Sequence, residues 1–190
     1  MLAIVTGAIG VGKTTVCQKV IAIVRDRGFT CGGVIARKTG DGSITVEDVD
    51  SGGGMPLAST HVKYHGPQTG KYWFNPEGIS FGMDAIRRGA GSDILVVDEV
   101  GHLELEGEGF SSAAEILRDR RAGNSMVVVR SELLEAFLPL LGSATRIFTV
   151  AIDNRDSLPD QLAAVLAVTP SQVLGVKGAA DAPTRPRRRK

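Results

Sequence analysis

The sequence predicts an α/β protein, a three-layer sandwich in which a mainly parallel central sheet lies between two layers of helices. Three observations carry this expectation. Short apolar runs of strand length alternate with helical periodicities along most of the chain. The first run breaks into a glycine-rich loop that opens a helix, and the run at residues 94–97 ends on two adjacent acids, Asp98 and Glu99. Strands alternating with helices make parallel sheets covered on both faces, because each parallel crossover needs a connection of helix length.

The elements follow in order. Residues 2–5 form an apolar run, glycines occupy positions 7, 10 and 12, and Lys13-Thr14-Thr15 come next. Val16, Val20, Ile21, Ile23 and Val24 then recur at helical spacing, and Arg25, Asp26 and Arg27 close the helix before Gly28. Residues 30–38 and 43–49 read as two strands about a Gly-Asp-Gly spacer, which predicts an antiparallel hairpin added to the sheet. Residues 51–82 are dense in Gly and Pro and hold the only Trp and both Tyr, so they read as a long irregular connection. A helix is expected at 80–88, leading into the acidic strand. Beyond it the pattern gives a helix at 110–121, a strand at 126–129, a helix at 131–141, a strand at 146–151 and a helix at 156–167. Residues 1–170 thus read as one domain, and residues 171–190 as a disordered basic tail.

Composition narrows the function classes. The chain has 190 residues, 43% of them apolar and 23% charged, as in an ordinary globular protein. Six Lys/Arg against one Asp in residues 177–190 give that end +5, so the net charge of +1 leaves the body at −4. An acidic body argues against a surface built to coat nucleic acid. Only the tail, with Arg185, Arg187, Arg188, Arg189 and Lys190, has the chemistry for weak phosphate contacts. Two cysteines without metal-ligand spacing point to a reducing compartment. No stretch approaches the ~20 apolar residues of a membrane span. A cytoplasmic location is the expectation.

The stretch Gly7-Ala8-Ile9-Gly10-Val11-Gly12-Lys13-Thr14 fits G-x-x-x-x-G-K-[ST] at every fixed position and lies between a strand and a helix. Phosphate oxygens need several backbone N–H groups at once, so such a loop must curl tightly around them. The helix start adds the positive end of its dipole, to which Thr15 belongs. Lys13 supplies a cation for the β- and γ-phosphates, and Thr14 a hydroxyl for Mg²⁺. Ligands of parallel sheets sit beyond the carboxyl ends of the strands, and both the loop and the acids follow such ends. Asp98 is therefore the second expected Mg²⁺ residue, and Glu99 the candidate for orienting a water and taking its proton.

Four segments, "TGAIGVGKTT", "GKYWF", "VVDEVGHLEL" and "DNRD", occur here in the order found in the THEP-type, or cancer-related, nucleoside-triphosphatases, and residues 1–168 resemble that family. The resemblance implies a RecA- or AAA-like core and slow hydrolysis of nucleoside triphosphates (ATP, GTP, CTP or UTP) with loose base preference. It places Asn154 and Arg155 near the base. Some positions depart from the family pattern. His102 stands where Lys is usual, Ala8-Ile9 replace two loop prolines, "GVIARKT" replaces an acid-then-arginine strand, and Arg130 stands where a small hydroxyl residue is usual.

Several residues carry two readings. Either Arg155 stacks on a base and Asn154 or Asp156 hydrogen-bonds its rim, or Asp153 or Asn154 caps the last helix. Arg37 and Arg130 either reach the γ-phosphate as an arginine finger or pair with acids. Residues 71–74 either close over a base or anchor their loop to the sheet. His61 and His65 lack the company of a metal site, and Cys17 reads as core. Two other functions compete with hydrolysis. One is a kinase passing the γ-phosphate to a small acceptor, disfavoured because residues 51–82 contain no arginine for a lid. The other is a nucleotide-dependent switch or adaptor.

Overall fold

A computed structural model describes residues 1–119, 123–142 and 145–168. One nine-stranded sheet organises the chain. Its elements in sequence are β1 (Leu2–Thr6), α1 (Lys13–Asp26), β2 (Cys31–Lys38), β3 (Ile44–Asp48), β4 (Gly54–Ser59), β5 (Gln68–Thr69), β6 (Tyr72–Phe74), α2 (Pro76–Gly89), β7 (Ile94–Val100), α3 (His102–Leu105), α4 (Ala113–Asp119), β8 (Asn124–Val129), α5 (Leu134–Leu141), β9 (Thr145–Thr149) and α6 (Leu158–Leu166). A 3-10 turn, Ser131–Leu133, leads into α5. The spatial order is β5-β6-β4-β3-β2-β7-β8-β1-β9. From β2 to β9 all pairs are parallel, and from β2 outward to β5 all are antiparallel. The three-layer sandwich expected from the sequence is the observed fold.

Alternation along the buried strands divides the interior into two cores. Leu2, Ile4, Leu95, Val97, Val127 and Val129 face α2, α4 and α5. Ala3, Val5, Ile94, Val96, Met126 and Val128 face α1 and α6. Parallel strands covered on both sides must be apolar on both sides, which is why these runs carry no polar alternation.

The reading of residues 51–82 needs correction. They hold three strands, β4, β5 and β6, and the first half of α2, so the hairpin addition is in fact a four-stranded antiparallel extension of β2. Their Gly and Pro content concealed this. Pro56 pairs with Thr45 where the β3–β4 register slips, a place where a missing N–H costs little. The side chain of Asn75 fastens the segment by donating to the Pro56 carbonyl at 3.0 Å and accepting from the Glu77 N–H, which caps α2. The expected disorder of residues 171–190 lies outside the described residues.

Helix α2 meets β2 backbone to backbone. A Cβ on Gly32 would sit 2.5 Å from Gly89 Cα, and one on Gly89 2.3 Å from Gly33 N. Neither neighbour is a flexible side chain, so nothing can rotate away. Gly32→Ala is expected to destabilise the fold by roughly 1–3 kcal/mol, as overpacking of a closed core does. For a chain of this size that is a drop in Tm of several degrees in a thermal melt. An unchanged Tm would mean that the helix–sheet contact is looser than described.

Candidate active site

The phosphate loop runs from the end of β1 to the start of α1. Gly7 has φ 147°, and a Cβ there would lie 2.6 Å from the Val150 carbonyl, so only glycine fits beside β9. Gly10 and Gly12 also take positive φ, at 77° and 107°. Ala8, Ile9 and Gly10 form the exposed arch, with Val11 half-buried behind it. Lys13 is buried, and its ammonium donates to the carbonyls of Gly7 at 2.8 Å and Ala8 at 3.0 Å. The cation is thereby centred under the arch. Thr14 and Thr15 continue into the first turn of α1.

The acids stand two strands away, because β8 lies between β1 and β7. Val97 pairs with Val127 but Val100 with Val129, so β7 carries one extra residue at Asp98-Glu99. That bulge turns the pair off the regular strand alternation. Asp98 is buried at 1% exposure, and its Oδ2 has no hydrogen-bond partner among the described residues. Burial pushes its carboxyl up to about 7, with the neighbouring Glu99 adding to the rise. A hydrogen bond from Thr14 and the charges of Lys13 and Arg37 pull it back. A hydroxyl and an orphaned carboxylate oxygen are hard donors of the kind Mg²⁺ takes. Thr14 and Asp98 therefore fit the cation.

Glu99 is half-buried and held by Arg130 from the end of β8. The guanidinium donates to Glu99 Oε1 from Nε at 2.9 Å and from Nη2 at 2.5 Å. Arg37 forms its own ion pair, 2.8 Å to Glu47. Both arginines line the same cleft as the acids, but each is bonded to a carboxylate. Glu104, in the acidic motif, has a role that the sequence reading does not assign. Its side chain accepts from Gly101 N–H at 2.6 Å and Phe110 N–H at 2.9 Å, tying the turn after Glu99 to the α3–α4 connection. The signal was in the sequence: Gly-x-x-Glu opening a short helix is the spacing of a capping glutamate.

On the other side of the loop, Asn154 spends both ends of its amide on backbone. It accepts from Ala151 N–H and donates to the Thr149 carbonyl, each at 2.9 Å. This fixes the turn after β9 and matches neither sequence reading: the amide is not free for a base rim, and the N-cap of α6 is Ser157, with no side-chain cap bond. Asp156 pairs with Lys19 at 2.9 Å. Arg155 stays exposed beside the loop, its Cδ 3.9 Å from where a Cβ on Gly12 would be. Residues 72–74 form β6, paired with β4 and β5, as the sheet-anchored reading has it, and Tyr72 and Phe74 wall the cleft from the antiparallel extension. His61 turns to the Asp41 carbonyl at 3.2 Å, and Cys17 is in the core.

A family model described as NTPase matches residues 3–163. The chain belongs to the NTPase family. A nucleoside-triphosphatase THEP1 of Methanosarcina barkeri is 33% identical over 168 residues, spanning 84% of this chain and 93% of its own. One of Methanopyrus kandleri is 29% identical over 164 residues, spanning 84% and 91%. THEP1 of the hyperthermophile Aquifex aeolicus has the same fold, with a TM-score of 0.70 at 19% identity over 87% of this chain and 99% of that one. A human cancer-related nucleoside triphosphatase gives 0.64 at 19% identity, over 94% and 98%. The NTPase family is thus the one to which the acidic motif and the phosphate loop pointed. No described helix is long and apolar enough to cross a membrane.

Within this NTPase, burying Asp98 works against stability. A carboxyl pushed from 3.8 to about 7 keeps its proton in the folded chain after the unfolded chain has lost it, so stability falls as pH rises across that window. Asp98→Asn is expected to raise Tm at pH 8 in EDTA, with the gain shrinking towards pH 5. A gain that is the same at both values, or a loss at pH 8, would contradict the burial argument.

Proposed function

We propose that the chain hydrolyses nucleoside triphosphates to the diphosphate and phosphate, with Mg²⁺ and with little preference for the base. One observation supports this above the rest: Lys13, the orphaned Asp98 oxygen and Glu99 converge on one cleft at the carboxyl edge of the sheet. The loop amides and Lys13 hold the phosphates and neutralise charge on their oxygens. Thr14 and Asp98 hold the cation, which when bound offsets the charge of the β- and γ-phosphates. Glu99 orients the attacking water and takes its proton. Arg130 aims Glu99 through the two hydrogen bonds to one oxygen. The nucleoside lies on the β9 side, beside Arg155. With Asn154 and Asp156 engaged elsewhere, few directed polar groups remain there to read a base. Preference among ATP, GTP, CTP and UTP should therefore stay within about 1–2 kcal/mol, the worth of one modest hydrogen bond.

Phosphate release measured with each of the four triphosphates, with and without Mg²⁺, tests this reading. All four should turn over with Mg²⁺, none should without it, and Lys13→Ala should abolish the activity while leaving the fold intact by circular dichroism. A thousandfold preference for one base, or native turnover by Lys13→Ala, contradicts it.

The roles of Glu99 and Arg130 separate by magnitude. Glu99→Gln should retain triphosphate in a filter-binding assay and lose 10²- to 10⁴-fold in turnover, as expected for a lost general base. If Arg130 acts by aiming Glu99, Arg130→Ala should cost about 10²-fold, the scale of a small misplacement. Its loss should add nothing in the Glu99→Gln background. A cost of 10³–10⁵, additive with Glu99→Gln, would make Arg130 a finger acting on the phosphate directly.

A further inference from the structure

The cleft reaches well beyond the phosphate loop. With the part lined by Gly12, Lys13 and Thr14 included, it holds about 840 Å³, within the span of small-molecule pockets, roughly 300–1,000 Å³. Its direction is equally telling. Arg155 and the β9 turn lie to one side of the phosphate loop, and none of their residues lines it. From Lys13 and Thr14 the cleft runs the other way, past Asp98 and Glu99 and across the end of β2, to β4, β6 and α2. A nucleoside on the β9 side with its phosphates on the loop leaves this outer half to something else.

The walls of that half have a definite chemistry. The half-buried Phe74 and Ile79 present apolar and aromatic surface, and the buried Leu57 and Phe110 complete the wall. Lys38, at the end of β2, and Lys71, in the β5–β6 turn, are exposed cations on its border, and neither has a carboxylate partner among the described residues. Of the acids at the inner end, Glu99 is engaged with Arg130 and Glu104 with two backbone amides, while Asp98 is buried beside the phosphate loop. Rings in the wall favour a flat aromatic guest by offset or edge-to-face packing. The two cations, Lys38 and Lys71, the latter 5.7 Å from the Tyr72 ring centroid, favour negative charge on it.

We propose that the outer half of the cleft binds a small aromatic anion at the same time as the nucleotide, with its ring against Phe74, Ile79 and Leu57 and its charge towards Lys38 or Lys71. Only the assignment of the loop to a triphosphate rests on the function proposed above. The guest is either a nucleoside monophosphate or an aromatic carboxylate, two sources of the same chemistry.

The test is titration of the full chain with 8-anilinonaphthalene-1-sulfonate, alone and with saturating Mg²⁺ and β,γ-imido-ATP. Saturable binding of one equivalent is expected, its affinity changed less than threefold by the nucleotide analogue. Lys71→Glu, an exposed position that leaves the core untouched, and Ile79→Glu should each weaken it at least tenfold. Displacement of the dye in proportion to nucleotide occupancy would make the whole cleft the nucleotide site and overturn the proposal, as would binding unaffected by both substitutions. Competition by AMP, GMP, CMP or UMP identifies a nucleotide guest, and competition by 4-hydroxybenzoate a carboxylate one; competition by neither overturns the ligand class. A chain that does not bind the triphosphate analogue at all would refute the hydrolase reading, while leaving the dye result to stand or fall by itself.

Discussion

Everything in the site is set by the spacing of strands in one parallel sheet. The phosphate loop follows β1, the acids end β7, and β8 lies between them. Two inter-strand steps of about 4.8 Å each separate the loop from Asp98 and Glu99. That distance suits a phosphate chain and its cation lying across the strand ends. The same insertion brings the end of β8, and with it Arg130, directly beside Glu99. Side chains alone could not hold such a gap open. Hydrogen-bonded strands can, because the ladder fixes their separation.

The price of this arrangement is local. Asp98 is buried with an oxygen that none of the described residues satisfies, and its carboxyl is pushed up to about 7. A core free to maximise stability would hold an apolar residue there. The extra residue in β7 serves the same end, since a regular strand would send Asp98 and Glu99 to opposite faces. Glu104 then fixes the turn that follows by binding two amides.

Much of this was legible in the sequence, and the limits have physical causes. The loop was readable because phosphate binding demands glycine, lysine and threonine at fixed offsets, which few other functions require together. The acids were readable because an apolar strand ending on two carboxylates has no packing reason to do so. Residues 51–82 were not, because Pro56 and the glycines suppress the strand signal while an antiparallel extension at a sheet edge tolerates them. The partner of Arg130 was left open, since ion pairing depends on which strands are neighbours, and sequence order does not give that. Asn154 was ambiguous for a related reason: the same amide that can read a base can also bridge two backbone groups of its own turn.

The sheet also acts as a partition. One core, with α1 and α6, stiffens the loop that would grip phosphate, while the other, with α2, α4 and α5, shapes the wall of the cleft through Leu57 and Phe110. Few side chains answer to both. Replacements confined to the outer wall of the cleft therefore spare the residues of the phosphate loop, and lineages descending from one ancestral fold can exchange the molecule they accommodate while inheriting the same loop. Divergence of that kind would concentrate on a single face of the molecule.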